Sequence, residues 1–207
     1  MKSRKNLIEQ LKSLPYFDKS VIYQLGRSYN LADATIKTYI SRYIKSKEII
    51  RLRKDIYISE DFYNENKSDI SYSFYLANII RTPSYITSWT ALEYYNLITD
   101  VIHSVISVAP KITKTHTTKA GSFEYHSISK ELFSDFSLVK GKFDFFLASP
   151  SKALFDLLYF KTHQFKGIKL EMIDGLIRDL RVDIDEMDKE EVDKFYLMVK
   201  KYIHHNE

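Results

Sequence analysis

Residues 35–59 read TIKTYISRYIKSKEIIRLRKDIYIS, and this stretch decides the fold of the N-terminal part of the chain. The apolar residues of its first half recur at helical spacing and form one predicted buried stripe: Ile36, Ile40, Tyr43 and Ile44. In its second half, Ile50, Leu52, Ile56 and Ile58 alternate with Arg51, Arg53 and Tyr57. This period of two on either side of Lys54–Asp55 predicts a two-stranded hairpin directly after the helix.

The outward surfaces of this helix and hairpin are basic. The helix face opposite the stripe carries hydroxyls and cations but no acid: Thr35, Lys37, Thr38, Ser41, Arg42 and Lys45. The hairpin adds three further cations: Arg51, Arg53 and Lys54. Such a helix fits the DNA major groove, and cations beside it can contact phosphates. These nine residues are the predicted DNA contacts, and a solvated basic face without a partner is the alternative.

Two more helices are predicted before this stretch. The first places Leu7, Ile8, Leu11 and Leu14 on one face and ends before Pro15. The second begins after Asp18, a favourable N-cap residue, and Asp33 is the predicted cap of the third. Three helices followed by a basic hairpin is the order of a winged helix-turn-helix, whose third helix enters the major groove.

Charge is distributed unevenly along the 207 residues, although the net charge is only +4. Residues 1–58 contain 13 Lys and Arg but 5 Asp and Glu, a net of +8, whereas the remainder has a net of −4. The N-terminal part is therefore the predicted polyanion binder. The sequence has no cysteine, no signal-peptide pattern and no long apolar run, which favours a cytoplasmic protein with no membrane association.

The predicted organisation is a winged helix-turn-helix at 1–60, a polar linker at 61–70 and a mixed α/β domain at 71–207. In the last domain, helices are predicted at 71–81, 89–97, 151–160, 170–180 and 189–204, strands at 104–109 and 140–149, and a hairpin at 111–129. Ser149 and Pro150 are the predicted cap and first residue of the helix at 151–160. The overall prediction is an α+β fold with a small, mostly antiparallel sheet and flanking helices.

Several segments, in order, resemble the AbiEi-type antitoxins, the regulator half of the AbiE abortive-infection toxin–antitoxin systems. They are ANIIRTPSYITSWTALEYYNLI (77–98), SVAP (107–110), GSFEYHSIS (121–129) and ASPSKALFDLLY (148–159). The resemblance covers residues 1 to about 160. Two positions depart from the family pattern: Asn96 replaces a frequent Gly, and the Lys54–Asp55 turn lacks one.

The resemblance implies a function. In that family the N-terminal domain binds inverted repeats upstream of its own operon and represses transcription. The C-terminal domain counteracts a nucleotidyltransferase-like toxin encoded in the same operon, without an assumed stable complex. We therefore expect a non-enzymatic, cytoplasmic repressor and antitoxin whose partners are double-stranded DNA and such a toxin. A winged-helix protein-interaction module, or a regulator without antitoxin activity, is the alternative.

Other chemistry is not favoured by the sequence. It has no Gly-rich phosphate loop, GxSxG or HExxH motif, and its histidines lack metal-ligand spacing, so neither catalytic residues nor a metal or cofactor are predicted. Lys152 and Asp156 are four residues apart and can share one helix face. The simpler interpretation is an ion pair exposed to solvent. The other, which the resemblance implies, is that the two residues belong to a surface that serves antitoxicity.

Overall fold

The computed structural model of the protein describes residues 2–110 and 113–205 and has an α+β fold with two sheets. The N-terminal part comprises α1 (Lys2–Lys12), β1 (Phe17–Asp18), α2 (Lys19–Ser28), α3 (Asp33–Lys45), β2 (Ile49–Arg53) and β3 (Ile56–Ser59). The predicted succession of three helices and a hairpin is confirmed, with a two-residue strand added between α1 and α2.

The three N-terminal helices meet in a small apolar core. Leu11 of α1, Ile22 of α2 and Ile36 of α3 are fully buried in it. As predicted, Asp18 caps α2, since its carboxylate accepts a hydrogen bond from the backbone N–H of Val21 at 2.9 Å. The cap and the shared core together fix the relative positions of these helices.

Helices α2 and α3 approach each other closely at Gly26. A Cβ atom at this position would lie 2.5 Å from Cδ1 and 2.6 Å from Cγ1 of Ile36. Real Cβ atoms do not come that near to other heavy atoms in close-packed interiors. A larger residue here would therefore have to displace the buried Ile36 side chain.

The buried stripe of α3 is shorter than predicted. Ile36, Ile40 and Tyr43 are buried, but Ile44 is 39% exposed. Ile44 is about 100° around the helix from Tyr43, which puts it at the edge of the stripe in the last turn. The prediction of a buried Ile44 is wrong for this reason.

The N-terminal sheet has the strand order β1-β3-β2, and both pairings are antiparallel. The predicted Lys54–Asp55 turn joins β2 to β3, and Asp55 supplies the positive φ of 63° that glycine would otherwise provide. The alternation predicts Tyr57 on the outward side, but this residue is buried and stacks on Phe17 with ring centroids 6.3 Å apart. The strand β1, which the sequence pattern did not reveal, provides that cover.

The opposite face of the hairpin is also buried. Ile50, Leu52 and Ile58 belong to the apolar core of the C-terminal part, whereas Ile49 and Tyr57 belong to the N-terminal core. The hairpin is thus held between two cores. Its turn projects from a fixed base because residues on both faces of the strands are buried.

The C-terminal part contains helices on a second sheet. Its helices are α4 (Glu60–Asn66), α5 (Ile70–Ile80), α6 (Ser88–Tyr94), α7 (Pro150–Lys161), α8 (Ile173–Asp179) and α9 (Lys189–His205). Its strands are β4 (Tyr85–Ile86), β5 (Ser104–Ala109), β6 (Lys114–Thr118), β7 (Gly121–Ser127), β8 (Phe136–Val139) and β9 (Phe145–Ala148). Short 3-10 turns lie at Lys130–Leu132, Leu170–Met172 and Ile184–Glu186. Lys111 and Ile112, at the start of the predicted hairpin, lie outside the described residues.

The second sheet has the order β6-β7-β5-β4-β9-β8. Three of its five pairings are antiparallel, and β5–β7 and β4–β9 are parallel, so the sheet is mixed. Strands β4 and β8 are not among the predicted elements. β4 has only two residues, which is too short for any periodicity. The predicted Ser149 cap and Pro150 start of α7 are confirmed.

The segment predicted as a linker is largely helical. Helix α4 begins after Ser59, whose hydroxyl accepts a hydrogen bond from the N–H of Phe62. Phe62 packs against the C-terminal core, and Asn66 is buried and accepts a hydrogen bond from Lys142 at 2.6 Å. The polar composition of 61–70 therefore reflects one solvated helix face. A polar stretch does not by itself distinguish a linker from such a helix.

Candidate nucleic-acid interface

The outward face of α3 is the first element of the candidate interface. The residues that the sequence assigned to it are exposed, except that Thr35 is half-buried: Lys37, Thr38, Ser41, Arg42 and Lys45. Their exposure follows from the burial of the opposite face, where Ile36 and Ile40 enter the N-terminal core. A rigid helix with one face buried holds the other face in a fixed orientation.

The hydroxyl groups on this face are unequal. Thr38 Oγ1 donates to the carbonyl oxygen of Ala34 at 2.9 Å, so its proton is used within the helix and its lone pairs remain available. Ser41 has no hydrogen-bond partner among the described residues. Ser41 can therefore both donate and accept, whereas Thr38 presents an acceptor.

Two acids of the N-terminal part form ion pairs with arginines. Glu48 pairs with Arg4 at 2.7 Å. Asp33 accepts two hydrogen bonds from Arg27, at 2.9 and 2.7 Å, and this contact lowers the pKa of its carboxyl group. Asp33 is the first helical residue and Ala32 the cap, so the prediction of Asp33 as the cap is wrong, because its carboxylate is engaged by Arg27.

The cations of α3 and of the hairpin have no such partners. Within residues 2–110 and 113–205, none of the six cations forms an ion pair with a carboxylate: Lys37, Arg42, Lys45, Arg51, Arg53 and Lys54. All six are exposed. The only described side-chain hydrogen bond among them is from Arg51 Nε to the carbonyl oxygen of Arg53, at 3.3 Å. These six cations therefore have no carboxylate within ion-pair distance in the described part of the chain.

An open groove of about 1050 Å³ lies between α2 and the hairpin turn. Its lining includes Lys19, Tyr23 and Arg27 of α2 and Arg53 and Lys54 of the hairpin, together with three carboxylates: Asp18, Asp33 and Asp55. Of the nine predicted DNA contacts, only Arg53 and Lys54 line it. The backbone N–H of Lys19 donates to the carbonyl oxygen of Asp55 at 3.0 Å, which ties the turn to the start of α2.

Sequence reasoning missed Lys19 and Arg27 as members of this surface. The ammonium of Lys19 and the guanidinium of Arg27 both lie over the ring of Tyr23, at 5.5 and 5.9 Å from its centroid. The available signal was the helical spacing of Lys19, Tyr23 and Arg27 at i, i+4 and i+8, which places all three on one face.

The predicted surface pair Lys152–Asp156 is not on the surface. Lys152 is 1% exposed and Asp156 is fully buried, and Lys152 Nζ lies 2.6 Å from Asp156 Oδ1. Asp156 Oδ2 also accepts hydrogen bonds from Tyr85 at 3.0 Å and Thr87 at 2.8 Å. Burial raises the pKa of the Asp156 carboxyl group, and the neighbouring Lys152 ammonium opposes that rise.

Both interpretations of this pair from the sequence are thus corrected. The spacing of four does put the two side chains on one face of α7, but residues 151–159 are buried all round that helix. The pair connects α7 to Tyr85 in β4 and to Thr87, and it presents no surface to a partner. The signal was present in the sequence, because the run from Ala153 to Tyr159 has apolar residues on every side of the helix.

His116 and His126 do not converge on one site. His116 and His126 lie on opposite faces of the β6–β7 hairpin, since His116 contacts Tyr125 and His126 stacks on Phe160. In the described part of the chain, no three His, Asp or Glu side chains are grouped so that they could hold a metal ion. No helix in the same residues is long and apolar enough to cross a membrane.

No known family model matches this sequence, and no curated protein shows significant similarity to it. Functional inference therefore depends on the residues and contacts described above.

Proposed function

We propose that residues 1–60 form a winged helix-turn-helix that binds double-stranded DNA upstream of its own operon and represses transcription. In this proposal α3 is the recognition helix and the β2–β3 hairpin is the wing. The observation that carries it is the set of six exposed cations on α3 and the hairpin that have no acidic partner in the described residues. The order of the N-terminal elements is consistent with this arrangement.

The physical basis is electrostatic. Cations that neutralise DNA phosphates release condensed counterions, and this release supplies affinity that does not depend on sequence. An ion pair within the protein would have to be broken first, so cations without such partners bind phosphate at lower cost. Lys45, Arg51, Arg53 and Lys54 are assigned to phosphates.

Sequence preference is assigned to the exposed face of α3. Arg42 has the planar fork that can donate two hydrogen bonds to O6 and N7 of guanine. Thr35, Lys37, Thr38 and Ser41 provide further donors and acceptors at base edges. The close contact of α3 with α2 at Gly26 keeps this face in a fixed orientation.

We further propose that the chain is an antitoxin that counteracts a nucleotidyltransferase-like toxin encoded in the same operon. This half of the proposal rests on the resemblance to AbiEi-type antitoxins. The buried ion pair Lys152–Asp156 would support it indirectly, by maintaining the C-terminal fold, because neither side chain reaches a partner at the surface.

Two experiments test the halves separately. A gel shift compares the upstream duplex with a shuffled duplex of equal length and base composition, and we expect tighter binding to the upstream duplex. Equal binding to both duplexes, or binding to neither, would contradict the repressor.

The second experiment co-expresses this protein with the neighbouring toxin gene, and we expect growth to be restored. Restored growth with the Arg42→Ala variant would show that antitoxicity is independent of DNA binding. Failure of the wild-type protein to restore growth would contradict the antitoxin.

A further inference from the structure

A second cavity lies on the other side of the hairpin turn, where the turn meets the C-terminal part. Its volume is about 420 Å³. Arg53 and Lys54 of the hairpin line it together with Arg81, which follows α5, and Lys114 and His116 of β6. The sequence analysis assigned Arg53 and Lys54 to the DNA contacts and assigned the other three residues to no site.

The charge of this cavity is uncompensated. Among the residues that the structure describes, those that line it include no Asp or Glu. Across the described ranges, none of Arg53, Lys54, Arg81 and Lys114 forms an ion pair with a carboxylate. Lys119 is different, since it is on the same β6–β7 hairpin but pairs with Glu60. Four cations without partners in one concave site favour the binding of an anion.

Buried contacts hold the backbone at Arg81 and the ring of His116. The carbonyl oxygen of Arg81 accepts a hydrogen bond from Ser84 Oγ at 2.6 Å, and its N–H donates to Ala77 at 3.2 Å. The ring of His116 lies against that of Tyr125, and the Tyr125 hydroxyl donates to the same Ala77 carbonyl oxygen at 2.6 Å. The backbone and the imidazole in this part of the site are therefore ordered before any ligand arrives, which reduces their share of the entropy cost of binding.

The electrostatic influence of the cations converges on His116. Burial lowers the pKa of this imidazole, and Lys114, Arg53 and Arg81 lower it further. The three cations come from three different elements, the hairpin, the end of α5 and β6. All three therefore lie close enough to influence one ring, as expected for cations gathered in one cavity.

We propose that this cavity binds a compact ligand with at least two adjacent phosphates, of the pyrophosphate or nucleoside polyphosphate class. Two Arg side chains can each contact phosphate oxygens in a bidentate manner, while the two Lys side chains act as point charges. Ile80, Pro83 and Ala109 form an apolar wall beside the cations, which suits the base or sugar of a nucleotide. The volume is within the range of small-ligand sites, which is roughly 300–1,000 Å³.

Ligand binding in this cavity has a consequence for DNA. Arg53 and Lys54 belong both to this site and to the wing surface assigned to DNA phosphates, so a bound polyphosphate would compete for them. This consequence rests on the proposed function. The existence of the ligand site does not, because it can be measured without DNA.

Isothermal titration calorimetry of the full-length protein tests the site with three probes: pyrophosphate, ADP and adenosine. We expect the first two to bind and adenosine to show no binding at the same concentrations. Arg81→Ala and Lys114→Ala should each weaken binding by about tenfold or more, since each removes a charged hydrogen-bond donor. Lys166→Ala is the matched control, because Lys166 is an exposed cation of the C-terminal part far from the lining residues in sequence and should leave binding unchanged.

The imidazole of His116 gives a second readout that does not depend on affinity. Its NMR signal can be assigned by comparison with His116→Gln. Addition of pyrophosphate should raise the pKa of His116, because a nearby anion stabilises the charged imidazolium. An unchanged His116 titration in the presence of bound pyrophosphate would place the ligand elsewhere and overturn the proposal.

The DNA experiments separate this proposal from the proposed function. Pyrophosphate binding that depends on Arg81 and Lys114, in a protein that does not bind its upstream duplex, would support the site and contradict the repressor. Loss of duplex affinity in Arg81→Ala and Lys114→Ala, without any binding of pyrophosphate or ADP, would overturn the ligand site and assign the cavity to the DNA backbone.

Discussion

Helices α3 and α7 are nearly equal in length, with 13 and 12 residues, yet their charged side chains have opposite surroundings. Lys37, Arg42 and Lys45 on α3 are exposed and have no acidic partner among the described residues. Lys152 and Asp156 on α7 are buried and pair with each other at 2.6 Å. Exposed charges without an ion-pair partner can bind a ligand, whereas a buried ion pair makes its contacts within the protein and cannot.

The largest expected effect comes from breaking the buried pair. Asp156→Ala leaves the Lys152 ammonium and two hydroxyl groups without their acceptor, so we expect a loss of about 3–5 kcal/mol in the free energy of unfolding. Urea denaturation of the full-length protein measures it. Asp144→Ala is the matched control, because Asp144 also pairs with a lysine four residues away but is exposed.

The double variant Lys152→Met with Asp156→Leu sharpens the same test. Apolar side chains of similar volume remove both charges together, so the double variant should be more stable than Asp156→Ala. Equal instability of the two variants would show that the ionic contact is not the source of the loss. A change in Asp144→Ala as large as in Asp156→Ala would contradict the comparison between buried and exposed pairs.

The second effect concerns the support beneath the exposed face of α3. Gly26→Ala should destabilise the protein by about 1–3 kcal/mol, because the added methyl group overlaps the buried Ile36 side chain. Gly175→Ala is the control. A Cβ at Gly175 meets nothing within 4 Å, and Gly175 lies inside α8, so alanine there should stabilise by roughly 0.5–1 kcal/mol. If the two substitutions changed the free energy of unfolding in the same direction and by a similar amount, the close contact between Gly26 and Ile36 would be contradicted.

Arg42→Ala tests the exposed face itself. We expect affinity for the upstream duplex to fall by about 1–3 kcal/mol and preference to relax at one base pair, because a bidentate base contact is lost. The free energy of unfolding should change by less than about 0.5 kcal/mol, as for other surface positions. Fluorescence anisotropy and urea denaturation measure the two quantities. An unchanged affinity would remove Arg42 from the recognition surface.

The smallest effect is expected at the hairpin turn. Lys54→Ala should weaken binding similarly for all sequences and reduce the slope of log K against log salt by about 0.9, the value for one phosphate contact. Anisotropy titrations at several salt concentrations measure it. Lys166→Ala is the control cation, and an equal change of slope in both variants would argue against a specific wing contact.

Much of the N-terminal fold could be predicted, because its signals are local. The apolar spacing of Ile36, Ile40 and Tyr43, the cap at Asp18 and the hairpin turn at Asp55 all act within a few residues of the chain. The same holds for Ser149 as a cap, and for the left-handed residue after α6, Asn96, with φ of 58°. Local sequence determines such features because their hydrogen bonds are local.

Other features depend on distant parts of the chain and could not be predicted. Nothing near Tyr57 indicates that β1 will cover it, and the spacing of Lys152 and Asp156 does not say what surrounds α7. The candidate site likewise has one part that the sequence predicted and one part that it did not. Exposure of the α3 cations followed from periodicity, but the cavity that joins Arg53 to Arg81 and Lys114 is created by tertiary packing of the hairpin against β6.

The central claim is that the unpaired cations of α3 and the hairpin bind DNA phosphates. The most direct test is the salt dependence of wild-type binding to the upstream duplex, measured by fluorescence anisotropy. With four phosphate contacts assigned, the account predicts a slope of log K against log salt of about −3 to −4, together with tighter binding than to a shuffled duplex. A slope near zero, or no binding at low salt, would contradict the claim.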